Sequence, residues 1–175
     1  YIGASFMEIA ENQMDNGLAR QAEQELQSLS RNFPDGVVIF GVASHSEIRQ
    51  TMRISPDRPQ VLQRLSGDAY HPYANASGLL GMAFFPEPAL LQIEEHHPFA
   101  EYGAHLWKTR GALEEFLLAA RREKRVVCPF DPDRFFRVAV PIFARNRHLL
   151  GVIGMSIPAA SVSSELRKKI INELK

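Results

Sequence analysis

The stretch FFRVAVPIFARNRHLLGVIGMSIP, residues 135–158, is the most apolar part of this 175-residue chain. Two runs rich in β-branched and aromatic residues flank a short polar break at residues 144–147, and this pattern predicts a pair of antiparallel strands. The first run is apolar on both faces except at Arg137, which is typical of a strand at the centre of a sheet covered by helices on both sides. Because a buried charge without a partner is costly, Arg137 needs either an internal carboxylate or a bound anion.

Break and turn residues divide the rest of the chain into further helices and strands. Asp15-Asn16-Gly17 is a strong break signal and predicts that a first helix ends there before a second begins at Leu18. Thr109 is placed to cap the longest helix. The other predicted strands are 37–43, 47–54, 61–65 and 126–130, and the other predicted helices are 18–29, 79–85, 89–93 and 161–174. This order predicts an α+β domain with a largely antiparallel sheet.

Size and charge limit the class of protein. A chain of 175 residues with 45 % hydrophobic content predicts a single domain. Twenty basic residues balance twenty acidic ones, so the chain lacks the basic excess expected of a surface that binds DNA. No apolar run approaches a membrane span and the N-terminus does not have the layout of a secretory signal, while the single cysteine, Cys128, favours a cytoplasmic setting. The sequence begins at Tyr1 within a helical pattern, and we expect it to be part of a longer protein.

Residue types that carry metal or catalytic chemistry do not form a recognisable set. Adjacent residues such as those in Glu94-Glu95-His96-His97 cannot chelate one ion from a regular helix or strand, so this segment is interpreted as a polar loop. No motif marks Cys128 as a nucleophile, and we expect it to be a small buried apolar residue. Ser77 lies in Ala-Ser-Gly, which is not the G-x-S-x-G motif of a nucleophile elbow. We therefore expect no metal, no cofactor and no enzymatic activity.

Two features suggest a ligand site instead. The loop YANASG, residues 73–78, runs into a predicted helix, and backbone N–H groups at the start of a helix can bind an anion. An ordinary helix start is the alternative interpretation of this loop. The last strand ends its even-numbered positions with Gly154 and Ser156, and small residues leave a concavity that a ligand can fill.

These segments resemble the effector-binding domain of the IclR family of bacterial transcriptional regulators. The family signature, roughly LHATAxGKALLAFLPE, is similar to YANASGLLGMAFFPE at residues 73–87. The resemblance continues through ALEEFLLAARREKRVV, RVAVPIF and IGMSIP, which are residues 112–127, 137–143 and 153–158, and it covers nearly the whole chain.

The resemblance implies a GAF-like α+β fold, a curved antiparallel sheet of about six strands with helices on both faces. It implies an interdomain linker helix at residues 1–16 and an effector-binding domain at residues 17–175. It also implies a winged helix-turn-helix domain upstream, through which the protein binds operator DNA. Members of the family form homodimers or tetramers and bind a small metabolite, commonly an organic acid.

The resemblance implies ligand contacts at ten positions. In this chain these positions are Asn75, Ala76, Ser77, Gly78, Val127, Cys128, Phe135, Arg137, Gly154 and Ser156. The chain departs from the family where Leu79 replaces a lysine, Tyr73 a histidine, Arg137 a cysteine, Gly154 a serine and residues 127–130 an acidic stretch. The implied pocket has lost acidic and hydroxyl groups and gained a cation, so we expect an anionic ligand that differs from small keto acids.

The leading hypothesis is a domain that senses a carboxylate or phosphate compound. Arg137 would hold the anion with two N–H groups, and the backbone N–H groups of Ser77 and Gly78 would assist.

The alternative hypothesis is a ligand-free dimerisation domain. Arg137 would then pair with Asp131 or Asp133, and Phe135 and Phe136 would fill the concavity. The presence or absence of a cavity beside the small residues of the last strand distinguishes the two.

Overall fold

The computed structural model describes the backbone of residues 2–174 and the side chains of residues 17–174. The elements in chain order are α1 (Ile2–Asn32), β1 (Val37–Ser44), β2 (Glu47–Ser55), β3 (Arg58–Arg64), α2 (Ala76–Phe84), α3 (Glu87–His96), α4 (Phe99–Tyr102), α5 (Ala104–Trp107), α6 (Arg110–Glu123), β4 (Val126–Val127), β5 (Phe135–Phe143), β6 (Leu149–Pro158), a 3-10 helix (Ala159–Ser161) and α7 (Ser164–Glu173). The six strands form one sheet in the order β3-β2-β1-β6-β5-β4, with every neighbouring pair antiparallel. The predicted α+β class and antiparallel sheet are confirmed.

Helices cover both faces of the sheet, and each face has its own apolar core. Helix α2 lies directly on one face with α6 packed against it, and Leu80 and Leu117 belong to the same apolar core as Ile39 of β1. Helices α1 and α7 cover the other, where Leu26 packs in a core with Phe40. Burial on both sides explains why the strands are apolar on both sides.

The β5–β6 hairpin sets the position of the candidate site. Arg137 lies opposite Ser156, and Ala139 lies opposite Gly154. On the other side of β6, Ile39 of β1 also lies opposite Gly154. Since paired residues point to the same face of a sheet, Arg137, Gly154 and Ser156 share the face that α2 covers, as the sequence predicts.

A β-bulge in β2 changes which of its residues face α2. Thr51 is an extra residue without a partner on β1, and an extra residue reverses the alternation of the strand. Ile48 therefore joins the core under α2, while Met52 joins the core under α1. The same shift places Arg53 opposite Ile39, on the face that α2 covers.

Helix α1 runs through residues 15–17, so the predicted break there is wrong. Gly17 does not have a positive φ, and the buried positions Ala22, Leu26 and Leu29 hold the following turns against the sheet. Such packing outweighs the weak local preference of the break residues. The first predicted helix lies entirely outside the residues whose side chains are described, and the division into a linker at 1–16 and a domain at 17–175 stays a prediction.

Replacing Gly17 by alanine should raise the free energy of unfolding by about 0.5–1 kcal/mol. A Cβ at this position would meet nothing within 4 Å, and alanine in a helix interior is favoured over glycine by roughly this amount. Urea unfolding of the two proteins measures the difference. A loss of stability would contradict a continuous helix at this point.

The strands at the edges of the sheet differ most from their predicted bounds. Strand β4 has only two residues. The Cys128 N–H donates one more hydrogen bond, to the Arg137 carbonyl, but Pro129 has no N–H group with which to continue the pairing. Strand β3 starts at Arg58 and includes Pro59, which an edge strand tolerates. Helix α6 begins as predicted, with the Thr109 hydroxyl accepting a hydrogen bond from the Ala112 N–H.

Candidate functional site

A cavity of about 240 Å³ lies between the sheet and the first turn of α2. Liquid water occupies about 30 Å³ per molecule, so the cavity has room for roughly eight waters or one small organic molecule. Strands β1, β2, β5 and β6 contribute its floor, and α2 with the loop before it contributes its roof. The polar side chains that line it are Gln50, Arg53, Tyr70, Asn75, Ser77, Arg137 and Ser156.

Six of the ten positions implied by the family resemblance line this cavity. They are Asn75, Ala76, Ser77, Arg137, Gly154 and Ser156. Gly154 keeps the floor open, because an added Cβ would lie 3.0 Å from Ile39 Cδ1 and 3.3 Å from Ser77 Oγ. A larger residue at 154 would therefore extend into the cavity.

Gly78 does not line the cavity, and its N–H group is already used. Asn75 caps α2, and its Oδ1 accepts a hydrogen bond from the Gly78 N–H at 2.7 Å. The expected contribution of this N–H to anion binding is therefore wrong, because a capping side chain satisfies it first. Gly78 instead permits a close approach, since a Cβ there would lie 2.2 Å from the His71 carbonyl oxygen.

Arg137 is held at one end of the cavity by weak contacts. Its Nη1 donates to the Phe130 carbonyl at 3.4 Å and lies 3.9 Å from Asp131 Oδ2. Its guanidinium lies 4.9 Å from the centroid of the Phe135 ring, so Phe135 positions the arginine and does not line the cavity. The Asp131 side chain is 61 % exposed, and solvent screens such a pair.

Val127 and Cys128 do not line the cavity. Val127 pairs with Val138 and packs on the α1 face of the sheet, because adjacent strand residues point to opposite faces. Cys128 lies on the α2 face, with its Sγ 3.7 Å from the Ala74 carbonyl oxygen. Burial raises the pKa of the Cys128 thiol, which disfavours the nucleophilic thiolate.

Arg53 lines the cavity and was not predicted from the sequence. Its Nε is buried and has no hydrogen-bond partner among the described residues. A buried unsatisfied donor costs about 1–3 kcal/mol, so this atom marks a place for an acceptor. The available signal was an arginine between Met52 and Ile54, two residues that are both buried.

Tyr70 lines the cavity near Arg53 and was also missed. Burial raises the pKa of Tyr70 to about 12, against a smaller opposing effect of Arg53. The phenol therefore remains neutral at physiological pH and can donate a hydrogen bond to a ligand.

The cavity has the electrostatics of an anion site. Arg53 and Arg137 line it, and no aspartate or glutamate is among its lining residues in the described part of the chain. The two arginines belong to β2 and β5, with β1 and β6 between them. Three strand spacings separate their backbones by roughly 14 Å across the sheet.

Glu94 and His96 have structural partners, whereas the buried Nδ1 of His97 has none among the described residues. Glu94 and His96 lie in α3, so the predicted polar loop is wrong for these positions. Glu94 pairs with Arg110, and this hydrogen bond lowers the pKa of Glu94. Within residues 17–174, no group of three or more His, Cys, Asp and Glu side chains is arranged to hold a metal ion. No helix in the described part of the chain is both long and apolar enough to cross a bilayer.

No protein-family model matches the sequence, and no curated protein does so either. Solved structures do match. The C-terminal domain of the E. coli transcriptional regulator KdgR has a TM-score of 0.70 and 20 % identity, covering 90 % of this chain and 91 % of that domain. IclR of Thermotoga maritima has a TM-score of 0.68 and 19 % identity, covering 87 % of this chain and 62 % of that one. HmgR of Pseudomonas aeruginosa has a TM-score of 0.65 and 15 % identity, with 94 % and 68 % covered.

The chain has the fold of an IclR-type C-terminal domain. The resemblance predicted from the motif at residues 73–87 and the hairpin at 135–158 is thereby confirmed for the fold. The chain spans 62 % of the length of the T. maritima IclR chain. The matching structures are those of transcriptional regulators or their domains.

Proposed function

We propose that this chain is the ligand-sensing domain of an IclR-type transcriptional regulator and that its ligand is a small organic or sugar acid. The observation that carries the proposal is the cavity beside Gly154, which is lined by two arginines and, among the described residues, by no carboxylate. Arginine is suited to such a ligand because its planar fork matches a carboxylate or phosphate. The shared fold of regulator domains supports the regulatory context.

The ligand's anionic group binds Arg137 at one end of the cavity. The other end of the ligand carries a second acidic group or a hydroxyl group, which accepts a hydrogen bond from the buried Nε of Arg53. Tyr70, Ser77 and Ser156 provide further hydroxyl groups to the lining of the cavity. A polyhydroxylated acid or a short dicarboxylate meets these requirements.

The regulatory effect follows from linkage. An acid in the cavity contacts the sheet on one side and the start of α2 on the other, so it favours arrangements in which the two are held together. The acid shifts the equilibrium between such arrangements and the others only by the difference in its affinity for the two. In the proposed regulator, a cytoplasmic dimer or tetramer, that equilibrium controls operator binding by a helix-turn-helix domain outside this chain.

The alternative, a ligand-free dimerisation domain, is favoured by one observation. Arg137 lies 3.9 Å from Asp131, as that hypothesis expects. Two observations oppose it. A cavity is present beside Gly154, and Phe136, which was expected to fill it, is buried on the opposite face of the sheet from the cavity.

Replacing Asp131 by asparagine separates these two interpretations. We expect the free energy of unfolding to change by less than about 0.5 kcal/mol, because the pair is exposed and long. Asparagine tolerates the positive φ of 50° at this position, so the backbone is preserved. Urea unfolding measures the change. A loss above about 1.5 kcal/mol would support an internal ion pair as the role of Arg137.

A thermal-shift screen tests the proposed function. The panel contains mono- and dicarboxylic acids, sugar acids and the neutral amide of each acid, so that charge changes while the carbon skeleton does not. We expect acids to raise the melting temperature and their amides to leave it unchanged. Gly154→Val, which fills the floor of the cavity, should abolish the response. Equal shifts with acids and amides, or an undiminished response in Gly154→Val, would reject the site.

A further inference from the structure

The groove between α3 and α6 exposes apolar side chains on the outer surface of the domain. Among the described residues four large apolar side chains are strongly exposed, and two of them line this groove of about 490 Å³. These are Leu91 of α3, which is 65 % exposed, and Leu118 of α6, which is 54 % exposed. A lone exposed leucine is ordinary, but two that share one groove indicate a contact surface.

The charges on α6 are arranged symmetrically about Leu118. Glu114 and Glu115 lie one turn before it, and Arg121 and Arg122 lie one turn after it. At 100° per residue, all four project within about 60° of the direction of Leu118. All four are exposed, and the buried residues of the helix lie on its other side.

This pattern is complementary to itself when two copies of α6 run antiparallel. When the two-fold axis passes through Leu118, a residue that precedes Leu118 by a given number of positions faces the residue that follows Leu118 by the same number in the second copy. Glu114 then faces Arg122 of the second copy, and Glu115 faces Arg121, so four pairs of opposite charge form around the two leucines. A parallel arrangement would instead place acid against acid, which is unfavourable.

The side chains needed for this contact are accessible. Glu114 and Arg122 form no ion pair within the described residues. Arg121 donates its Nε to the Ala83 carbonyl, which leaves its terminal nitrogens for a partner. The groove beside Leu118 can receive the leucine of the second copy.

We propose that the α6 surface binds a second copy of this chain in a two-fold, antiparallel contact centred on Leu118. The apolar residues in the groove supply affinity, and the surrounding charges fix the direction and register. A two-fold contact of this kind is closed, because the same patch is used by both copies. The inference does not depend on the anion cavity, which lies on the sheet side of α2.

A charge-exchange experiment tests the contact with two variants, Glu114→Lys and Arg122→Glu. Each places like charges opposite each other twice, so each should associate with itself at least about tenfold more weakly than the original chain. An equimolar mixture should form a mixed dimer, because the lysine introduced in one variant would then face the glutamate introduced in the other. Sedimentation velocity of a dilution series, with one variant fluorescently labelled, measures both effects.

Controls make each outcome decisive. Lys168→Glu reverses an exposed charge on α7 and should leave association unchanged, while Leu118→Asp should give a folded monomer. Any of three results would overturn the contact: the wild-type chain is a monomer, either charge variant associates with itself as strongly as the wild type, or the mixture forms no mixed dimer. The rise in melting temperature on adding an acid from the screen, measured on the same variants, reports ligand binding in the cavity separately. Failure of one proposal is therefore distinguishable from failure of the other.

Discussion

Replacing Gly78 by alanine should destabilise the domain by about 3–5 kcal/mol, a large part of the 5–15 kcal/mol typical of a domain. The added Cβ would lie 2.2 Å from the His71 carbonyl oxygen and 2.9 Å from its carbonyl carbon. These are backbone atoms, so the clash cannot be relieved by a rotamer change. The start of α2 or the loop before it would have to move.

The loop before α2 has little freedom to move. The Trp107 Nε1–H donates to the Tyr73 carbonyl at 3.0 Å, and the Tyr73 hydroxyl donates to the His97 carbonyl at 2.9 Å. Asn75 holds the other side through its cap on the Gly78 N–H. Relief of the clash would break some of these bonds, which is why the expected loss exceeds that of ordinary overpacking.

Gly81→Ala, one turn further along α2, is the matched comparison. Its Cβ would lie 2.8 Å from Phe85 Cε2 and 2.9 Å from Ile48 Cγ1, which are side-chain atoms that can shift. We expect a loss of about 1–3 kcal/mol. Chemical unfolding of both variants gives the comparison, and equal losses would contradict the steric role of Gly78.

Replacing Arg137 by methionine should weaken binding of an acid found in the screen by about 10- to 150-fold. A hydrogen bond to a charged group contributes about 1.5–3 kcal/mol, and the loss of that energy corresponds to this change in affinity. Methionine keeps much of the apolar stem, so packing against Phe135 is partly preserved. Isothermal titration calorimetry measures the dissociation constant directly.

Arg53→Met and Arg49→Met provide a matched pair of substitutions on one strand, β2. Arg53 lines the cavity, whereas Arg49 pairs with Glu47 on the surface. We expect Arg53→Met to weaken binding by a similar factor and Arg49→Met to leave it unchanged, although both remove one positive charge. Equal effects of all three substitutions would indicate a general effect of charge and would remove both arginines from the site.

The central hairpin could be predicted from the sequence because its signals are local. The apolar runs, the polar break and the lone Arg137 determine two strands, and simple alternation then places Arg137 on the same face as Ser156. The cap at Thr109 is equally local, since a hydroxyl before an amphipathic helix satisfies an N–H group that would otherwise lack a partner.

The missed features depend on contacts between distant residues. Strict alternation along β2 separates Arg53 from Ile48, and only the bulge at Thr51 brings both to the face under α2. The face of Val127 depends on its pairing with β5, which the sequence of a two-residue strand does not specify. The continuity of α1 through Gly17 results from packing of later turns against the sheet, and break residues do not reveal that packing.

A crystal structure of the chain with a bound acid from the screen tests the anion site most directly. We expect the acid in the cavity beside Gly154, with its anionic group within hydrogen-bonding distance of the Arg137 guanidinium and an acceptor at the Nε of Arg53. Asp131 should then lie farther from Arg137 than 3.9 Å. An acid bound elsewhere at full occupancy, with Arg137 still beside Asp131 and only water in the cavity, would contradict the anion site.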